Sequence, residues 1–80
     1  VPTVVALREK IGAITRAEAE KTLGAIKNLD EKDREAVSRM TEAIVSKVMH
    51  DPTMFLKNNA DKKSRNLYLD TVKKLFNIDE

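Results

Sequence analysis

Hydrophobic residues in the first third of the chain recur at the spacing of an α-helix. Val4, Leu7, Ile11 and Ile14 follow one another at intervals of three, four and three residues. This spacing is typical of a helix that packs along one face, with the apolar positions of a heptad repeat. Since no proline interrupts the stretch that ends at Leu29, the pattern predicts a single long first helix over Val4–Leu29.

This predicted helix is too long for a compact monomer. At about 1.5 Å per residue it is a rod of roughly 40 Å. A compact chain of 80 residues has a diameter of only roughly 30 Å. Because the remaining residues cannot cover such a rod, we expect its apolar seam to be covered by another chain.

The apolar seam changes phase after Ile14. Glu18 occupies the next expected apolar position, and Leu23, Ile26 and Leu29 then resume the helical spacing in a different phase. Such a change indicates that a helix changes its packing partner along its length. One half is expected to face another chain and the other half the later helices, although an irregular amphipathic helix in an ordinary bundle is the simpler alternative.

A second helix is predicted over Glu31–His50. Asp30 is a favourable N-cap residue, and the acidic first turn complements the helix dipole. His50 is placed in the last turn. The predicted apolar stripe of this helix consists of Val37, Met40, Ile44 and Val48, widened by Ala36, Thr41, Val45 and Met49.

The pair Asp51 and Pro52 predicts a helix boundary, because the residue before a proline avoids the α conformation. A short third helix is expected to begin there, with Asp51 as its N-cap. After a turn at 58–61, Asp61 is expected to cap a fourth helix that ends near Phe76 and carries Lys73 and Lys74 in its last turn. Its predicted buried set is Tyr68, Val72, Leu75 and Phe76. The pattern thus predicts an all-α bundle of three to four helices in one domain, 1–80, that forms a two-chain dimer.

Composition excludes several classes of protein. With 41% hydrophobic and 35% charged residues, the chain suits amphipathic helices rather than disorder. A net charge of +2 with interspersed signs gives no electrostatic argument for nucleic-acid binding. The chain has no cysteine, which excludes disulfides and thiolate chemistry within it and favours a cytoplasmic location. No segment is apolar enough to predict a membrane span.

Candidate chemistry is sparse. The lone histidine, His50, is followed by a helix-ending proline rather than by further ligands, so we predict no metal site. The sequence likewise shows no catalytic arrangement and no phosphate-binding glycine loop, so no catalytic or cofactor-binding residue is predicted. The small basic cluster of Lys62, Lys63 and Arg65 is expected to be a solvated helix start, with RNA contact as the alternative.

One stretch of the chain carries a family resemblance. Residues 44–57 resemble the pattern I-V-N-K-L-L-H-x-P-T-x-x-L-K, with Ser46 in place of the usual Asn and Val48-Met49 in place of Leu-Leu. The opening Pro2-Thr3 and the later Tyr68-Leu69 and Leu75-Phe76 fit the same family. Across nearly its whole length the chain resembles the C-terminal dimerisation domain of glutamyl-tRNA reductase.

The resemblance implies a larger enzyme. A full-length reductase of this family uses NADPH to reduce glutamyl-tRNA to glutamate-1-semialdehyde, at the start of tetrapyrrole and haem biosynthesis. Its catalytic cysteine and nucleotide-binding domain lie outside the matched region, so the resemblance assigns no catalytic or cofactor residue here. Residues 1–29 are expected to be the end of a long spinal helix, and the start at Val1 without a methionine is consistent with a fragment.

The resulting prediction is a homodimer. We expect the interface to be formed by Val4, Leu7, Ile11, Ile14, Ile44 and Val48. The substitution Leu7→Asp is expected to dissociate it. A stand-alone helical adaptor for another protein is the alternative, and a direct tRNA contact by the basic cluster is a third possibility.

Overall fold

The computed structural model describes residues 2–59 and 61–78, without the side chain of Lys62. The regular structure of this part of the chain consists of three helices: α1 over Pro2–Ala25, α2 over Glu31–Asn58 and α3 over Lys62–Leu75. The prediction of an all-α bundle is confirmed. The number of helices is three because the predicted second and third helices are one continuous element.

The first helix is shorter than predicted. It begins at Pro2, which suits the first helical position because its missing N–H has no partner there. It ends at Ala25, four residues before the predicted Leu29. Asn28 then adopts a left-handed conformation with a φ of 66°, which asparagine tolerates better than most residues. The chain therefore reverses over residues 26–30, and α2 returns beside α1.

The predicted cap of α2 is confirmed. Asp30 accepts a hydrogen bond of 2.8 Å at Oδ1 from the backbone N–H of Asp33, which satisfies one of the orphan donors of the first turn. Glu31 and Asp33 add negative charge at the positive end of the helix dipole. This start depends only on residues within one turn of one another.

The predicted helix boundary at Asp51 and Pro52 is wrong, since α2 runs through both residues. Pro52 cannot donate to the carbonyl of Val48, at a cost of about 3 kcal/mol in a helix interior. Met49 and Leu56 are seven residues apart on one face, with exposed fractions of 0% and 3%. Burying two such side chains is worth about 3–6 kcal/mol together, which is enough to offset the cost of the proline.

Two further predictions change with this boundary. His50 is exposed in the interior of α2 rather than in a last turn. Asp51 lies within the same helix and caps nothing. The basic residue in the true last turn of α2 is Lys57.

The third helix begins at the predicted cap. Asp61 accepts hydrogen bonds at Oδ1 from the backbone N–H of Lys63, at 3.3 Å, and at Oδ2 from the hydroxyl of Ser64, at 2.8 Å. These bonds, led by the one from Ser64, lower the pKa of the Asp61 carboxyl below its ordinary value, with desolvation acting weakly against them. The predicted turn at 58–61 includes Ala60, which is outside the described residues.

The end of α3 is also well defined. The N–H of Phe76 donates to the carbonyl of Val72 at 3.0 Å, and the N–H of Ile78 donates to that of Lys73 at 2.9 Å. Asn77 between them has a φ of 52°. This is the Schellman arrangement, in which a left-handed residue lets the chain cap the last carbonyls. Lys73 and Lys74 lie in the last turn, as predicted.

The core is small. Leu7 of α1 packs with Val45 and Met49 of α2, and partly buried side chains surround these three: Val4, Ile11, Val72 and Ile78. Leu56 is buried nearer the end of α2. The predicted stripe of α2 is centred on the wrong phase, because its widening members Val45 and Met49 are buried whereas three of its central members are exposed: Met40, Ile44 and Val48. Similarly, Leu75 at the end of α3 and its C-cap Phe76 are exposed, whereas Tyr68 and Val72 are half-buried.

The molecule is elongated because α3 covers only part of the α1–α2 pair. Its 14 residues are half the 28 residues of α2. The radius of gyration is 15.9 Å and the principal extents are 53 × 22 × 14 Å. A compact chain of this length has a radius of gyration of about 12 Å. Much of the helical hairpin formed by α1 and α2 therefore extends beyond α3 without a third helix against it.

Candidate protein interface

The structure divides the six predicted interface residues into two groups. Leu7 has an exposed fraction of 1%, and Val4 and Ile11 pack against the core around it. These three side chains are used within the chain. Ile14, Ile44 and Val48 have exposed fractions of 55%, 45% and 52%, so they remain available to a partner.

Ile14 lies just beyond the end of α3. The Lys10 ammonium donates hydrogen bonds to the carbonyls of Phe76 and Asn77, which places the end of α3 beside Lys10. Ile14 follows Lys10 by four residues and therefore occupies the same face of α1, one turn further on. No part of α3 reaches that far, which explains why Ile14 is exposed.

A second row of exposed apolar residues runs along α2. Ile44, Val48 and Phe55 are separated by four and seven residues, which keeps them on one face of the helix. Phe55 has an exposed fraction of 52%, as does Val48. This face is displaced by one residue from the buried positions Val45 and Met49, so α2 is apolar on two adjacent faces and only one of them is covered.

An apolar groove lies between the end of α2 and α3. The rings of Phe55 and Tyr68 meet edge to face, with centroids 4.9 Å apart and an interplanar angle of 67°, a favoured aromatic geometry. The groove has a volume of about 390 Å³. Its lining is nearly all apolar and consists of Asp51, Pro52, Phe55, Leu56, Tyr68, Thr71 and Val72.

Exposed leucines of α3 flank this groove. Leu67, Thr71 and Leu75 are spaced by four residues and share a face of α3. Since Thr71 lines the groove, Leu67 and Leu75 lie one turn to either side of it. Their exposed fractions are 64% and 74%.

The antiparallel register joins the two rows of residues. Phe55 of α2 contacts Tyr68 of α3. Val48 precedes Phe55 by seven residues in α2, and Leu75 follows Tyr68 by seven residues in α3. Because the two helices are antiparallel, both steps run in the same direction along the molecule. Seven residues are two helical turns, so this pair lies on the same side as the groove. We call the resulting surface the open face; it consists of Ile14, Ile44, Val48, Phe55, Leu67 and Leu75.

Half of the open face escaped the sequence prediction. Leu75 was expected in the core, and neither Phe55 nor Leu67 was predicted for the interface. The signal was present, because Leu67 and Leu75 are eight residues apart on one face of a predicted helix. It could not be interpreted without knowing that Val72, rather than Leu75, faces the core.

The two described side chains of the predicted basic cluster differ in their surroundings. Arg65 donates from Nε to the carbonyl of Asn59 at 3.2 Å and is partly buried. Lys63 is exposed, whereas the side chain of Lys62 lies outside the described part of the chain. Arg65 therefore serves the junction of α2 and α3.

The described residues bring together no group of His, Asp and Glu side chains that could hold a metal ion. None of the helices in this part of the chain is long and apolar enough to cross a membrane.

Comparison with known proteins identifies the fold's family. The family model described as the dimerisation domain of glutamyl-tRNAGlu reductase matches residues 1–78. The chain belongs to this family of dimerisation domains. No solved structure gives a significant match.

Individual relatives agree with the family match. The chain is 50% identical over 78 residues to the glutamyl-tRNA reductase of Syntrophobacter fumaroxidans, covering 98% of this chain and 17% of that protein. It is 46% identical over 77 residues to the glutamyl-tRNA reductase of Syntrophotalea carbinolica, covering 96% of this chain and 17% of that protein. The chain thus spans about one sixth of the length of these curated relatives. Within the dimerisation domain, the open face is an apolar surface that packing within the described part of the chain leaves uncovered.

Proposed function

We propose that this domain joins two copies of its own chain through the open face. The observation that carries the proposal is the exposure of six large apolar side chains, with exposed fractions between 45% and 74%, which helical spacing and the register of α2 against α3 assign to one side of a small domain. Soluble monomers seldom expose a contiguous apolar surface of this kind without a partner for it.

The total surface supports the same proposal. The chain has an accessible area of 6271 Å². A compact monomer of 9.0 kDa has an accessible area of about 4,900 Å². The excess of roughly 1,400 Å² is more than the roughly 800 Å² that each partner buries in a standard interface. A dimer therefore has enough uncovered surface to form without unfolding any helix.

Within this proposal the six residues predicted from the sequence have two roles. Ile14, Ile44 and Val48 contact the partner chain. Val4, Leu7 and Ile11 act indirectly, since they hold α1 against α2 and so position the open face. A two-fold symmetric interface, in which the same surface of each copy meets its counterpart, is the commonest arrangement for a homodimer.

The parent protein is, in this proposal, an NADPH-dependent reductase of glutamyl-tRNA. It forms glutamate-1-semialdehyde for tetrapyrrole synthesis, and its catalytic and cofactor-binding residues lie outside these 80 residues. The contribution of this domain is positional, because it fixes the distance between two catalytic units that share one dimer. The sequence and family of the relatives support this proposal. The cytoplasmic location and a tRNA contact by the basic cluster stay predictions.

Sedimentation equilibrium over a concentration series tests the dimer. The expected mass is about twice the 9.0 kDa of one chain. The substitution Ile14→Asp is expected to give a folded monomer. Val5→Asp is the matched control, because Val5 is 52% exposed on the same helix and, at nine residues from Ile14, lies on its opposite side. A wild-type chain that stays monomeric at every concentration contradicts the proposal.

A further inference from the structure

We infer that Leu75 of each chain inserts into the groove between α2 and α3 of a second copy of this chain. The inference rests on the proposed dimer and assigns the contact that sets its register. It differs from the sequence prediction, which placed the interface on the first two helices alone.

The groove has the shape and chemistry of an acceptor for an aliphatic side chain. Phe55 and Tyr68, which are in edge-to-face contact, line it together with Val72. Its volume of about 390 Å³ exceeds that of a leucine side chain. The carboxylate of Asp51 is the only charged group in the lining, so a charged or strongly polar occupant would lose its hydration without gaining enough partners.

Leu75 has the properties of the inserting side chain. It is the most exposed of the large hydrophobic residues in the described part of the chain, at 74%. It lies one turn beyond Thr71, which lines the groove, and therefore stands beside its own groove rather than within it. A two-fold axis near this point brings the Leu75 of each copy over the groove of the other.

A second copy of this chain is favoured as the occupant because the groove is continuous with the open face. The groove lies within the open face, with Val48 and Leu75 on one side of it and Leu67 on the other. A partner that covered Ile44 and Val48 without filling the groove would leave the exposed Phe55 ring unpacked. Insertion of an apolar anchor into a central pocket is the arrangement that usually dominates the energy of an interface.

The chain contains no cysteine, which makes site-specific cross-linking a direct test. A chain carrying Thr71→Cys is mixed with a chain carrying Leu75→Cys and mildly oxidised. We expect a disulfide-linked heterodimer, because a groove-lining position and the inserted side chain come within disulfide distance. The control pairs Thr71→Cys with Asn66→Cys; Asn66 is exposed on α3 and, at nine residues from Leu75, lies on the opposite side of the helix.

A second measurement uses Leu75→Gln, which removes the apolar anchor without adding a charge. Sedimentation is expected to show a dimer dissociation constant raised about tenfold or more, with unchanged helical circular dichroism. The control Val5→Gln is expected to leave the constant unchanged.

The outcomes separate this inference from the proposed function. If the wild-type chain is dimeric but Leu75→Gln leaves the constant unchanged and no Thr71–Leu75 cross-link forms, the groove holds something other than the second copy, and the inference is overturned while the dimer stands. If the wild-type chain is monomeric, the proposed function fails first. A cross-link in the Thr71–Leu75 pair alone supports both.

Discussion

The ammonium group of Lys10 lies 2.6 Å from the carbonyl oxygen of Phe76, 66 positions further along the chain. It also donates to the carbonyl of Asn77 at 3.0 Å. A helix ends in carbonyl groups without intrahelical partners, and the negative end of its dipole favours a cation. Lys10 therefore fastens the end of α3 to the middle of α1, and so fixes how far α3 covers the helical hairpin.

We predict that Lys10→Met destabilises the chain by about 1 kcal/mol, since two hydrogen bonds to a partly exposed cation are lost while the apolar stem is kept. Urea unfolding followed by circular dichroism measures the effect, at a fixed chain concentration because dimerisation also contributes to stability. Lys21→Met, at an exposed position near the end of α1, is the control and should be neutral. Equal stability of both variants would show that the Lys10 bonds contribute nothing.

A core substitution should lower the stability of the fold, whereas an open-face substitution should weaken the dimer. Leu7 is 1% exposed, so Leu7→Ala is expected to destabilise the fold by about 2–5 kcal/mol. Ile14 is 55% exposed, so Ile14→Ala should leave the stability of the isolated fold nearly unchanged and weaken the dimer. Thermal unfolding at low chain concentration, combined with sedimentation, distinguishes the two.

The same reasoning revises the expected phenotype of Leu7→Asp. Because Leu7 packs with Val45 and Met49, a carboxylate there is buried without a partner. Loss of helical circular dichroism should accompany the loss of the dimer. A helical monomer of this variant would show instead that Leu7 serves the interface.

Pro52 offers a test of the uninterrupted α2. In Pro52→Ala the backbone regains an N–H that can donate to the carbonyl of Val48, and the helix interior regains a favourable residue. We expect stabilisation of about 1–3 kcal/mol, measured by thermal unfolding at fixed concentration. Ala43→Pro, at an exposed position of the same helix, should destabilise the chain. A destabilised Pro52→Ala variant would mean that the proline conformation is needed to pack the groove.

The start of α3 should respond to acid. The hydroxyl of Ser64 holds the folded-state pKa of Asp61 below its value in the unfolded chain. The stabilisation from this ionised cap is therefore fully present above the unfolded-state pKa, near about 3.9. It is lost as the pH falls through the folded-state value.

The variant Ser64→Ala removes the largest cause of this shift. The pKa of Asp61, followed by NMR titration of its carboxyl carbon, is expected to rise toward the ordinary value. The variant should also lose less stability than the wild type on acidification. Ser46→Ala, at an exposed position of α2, is the control. An unmoved titration curve in Ser64→Ala would assign the shift to the backbone N–H groups instead.

Features that depend on neighbours within one helical turn were predictable from the sequence. The capping roles of Asp30 and Asp61 and the basic last turn of α3 were all assigned correctly. Each cap joins a side chain to a group two or three residues away, and the basic last turn acts on the dipole of its own helix. The family was also recognisable from residues 44–57, because a match to a residue pattern does not depend on which side of the helix is buried.

Features that depend on the position of a distant helix were not predictable from the sequence. Val48 and Met49 are adjacent in sequence and both apolar, yet one is 52% exposed and the other 0%. Helical periodicity assigns them to neighbouring faces of α2 but cannot rank the two faces. The same holds for Pro52, whose local preference favours a boundary that the burial of Met49 and Leu56 overrides.

The order of the amino acids is enough to show that this chain is helical, where α2 and α3 begin, and that it carries more apolar surface than one small core can use. Which apolar faces the chain covers for itself depends on how its helices pack. A cap is completed within one turn, whereas the burial of Met49 instead of Val48 depends on where α1 and α3 lie. The open face is part of the apolar surface that this packing leaves exposed.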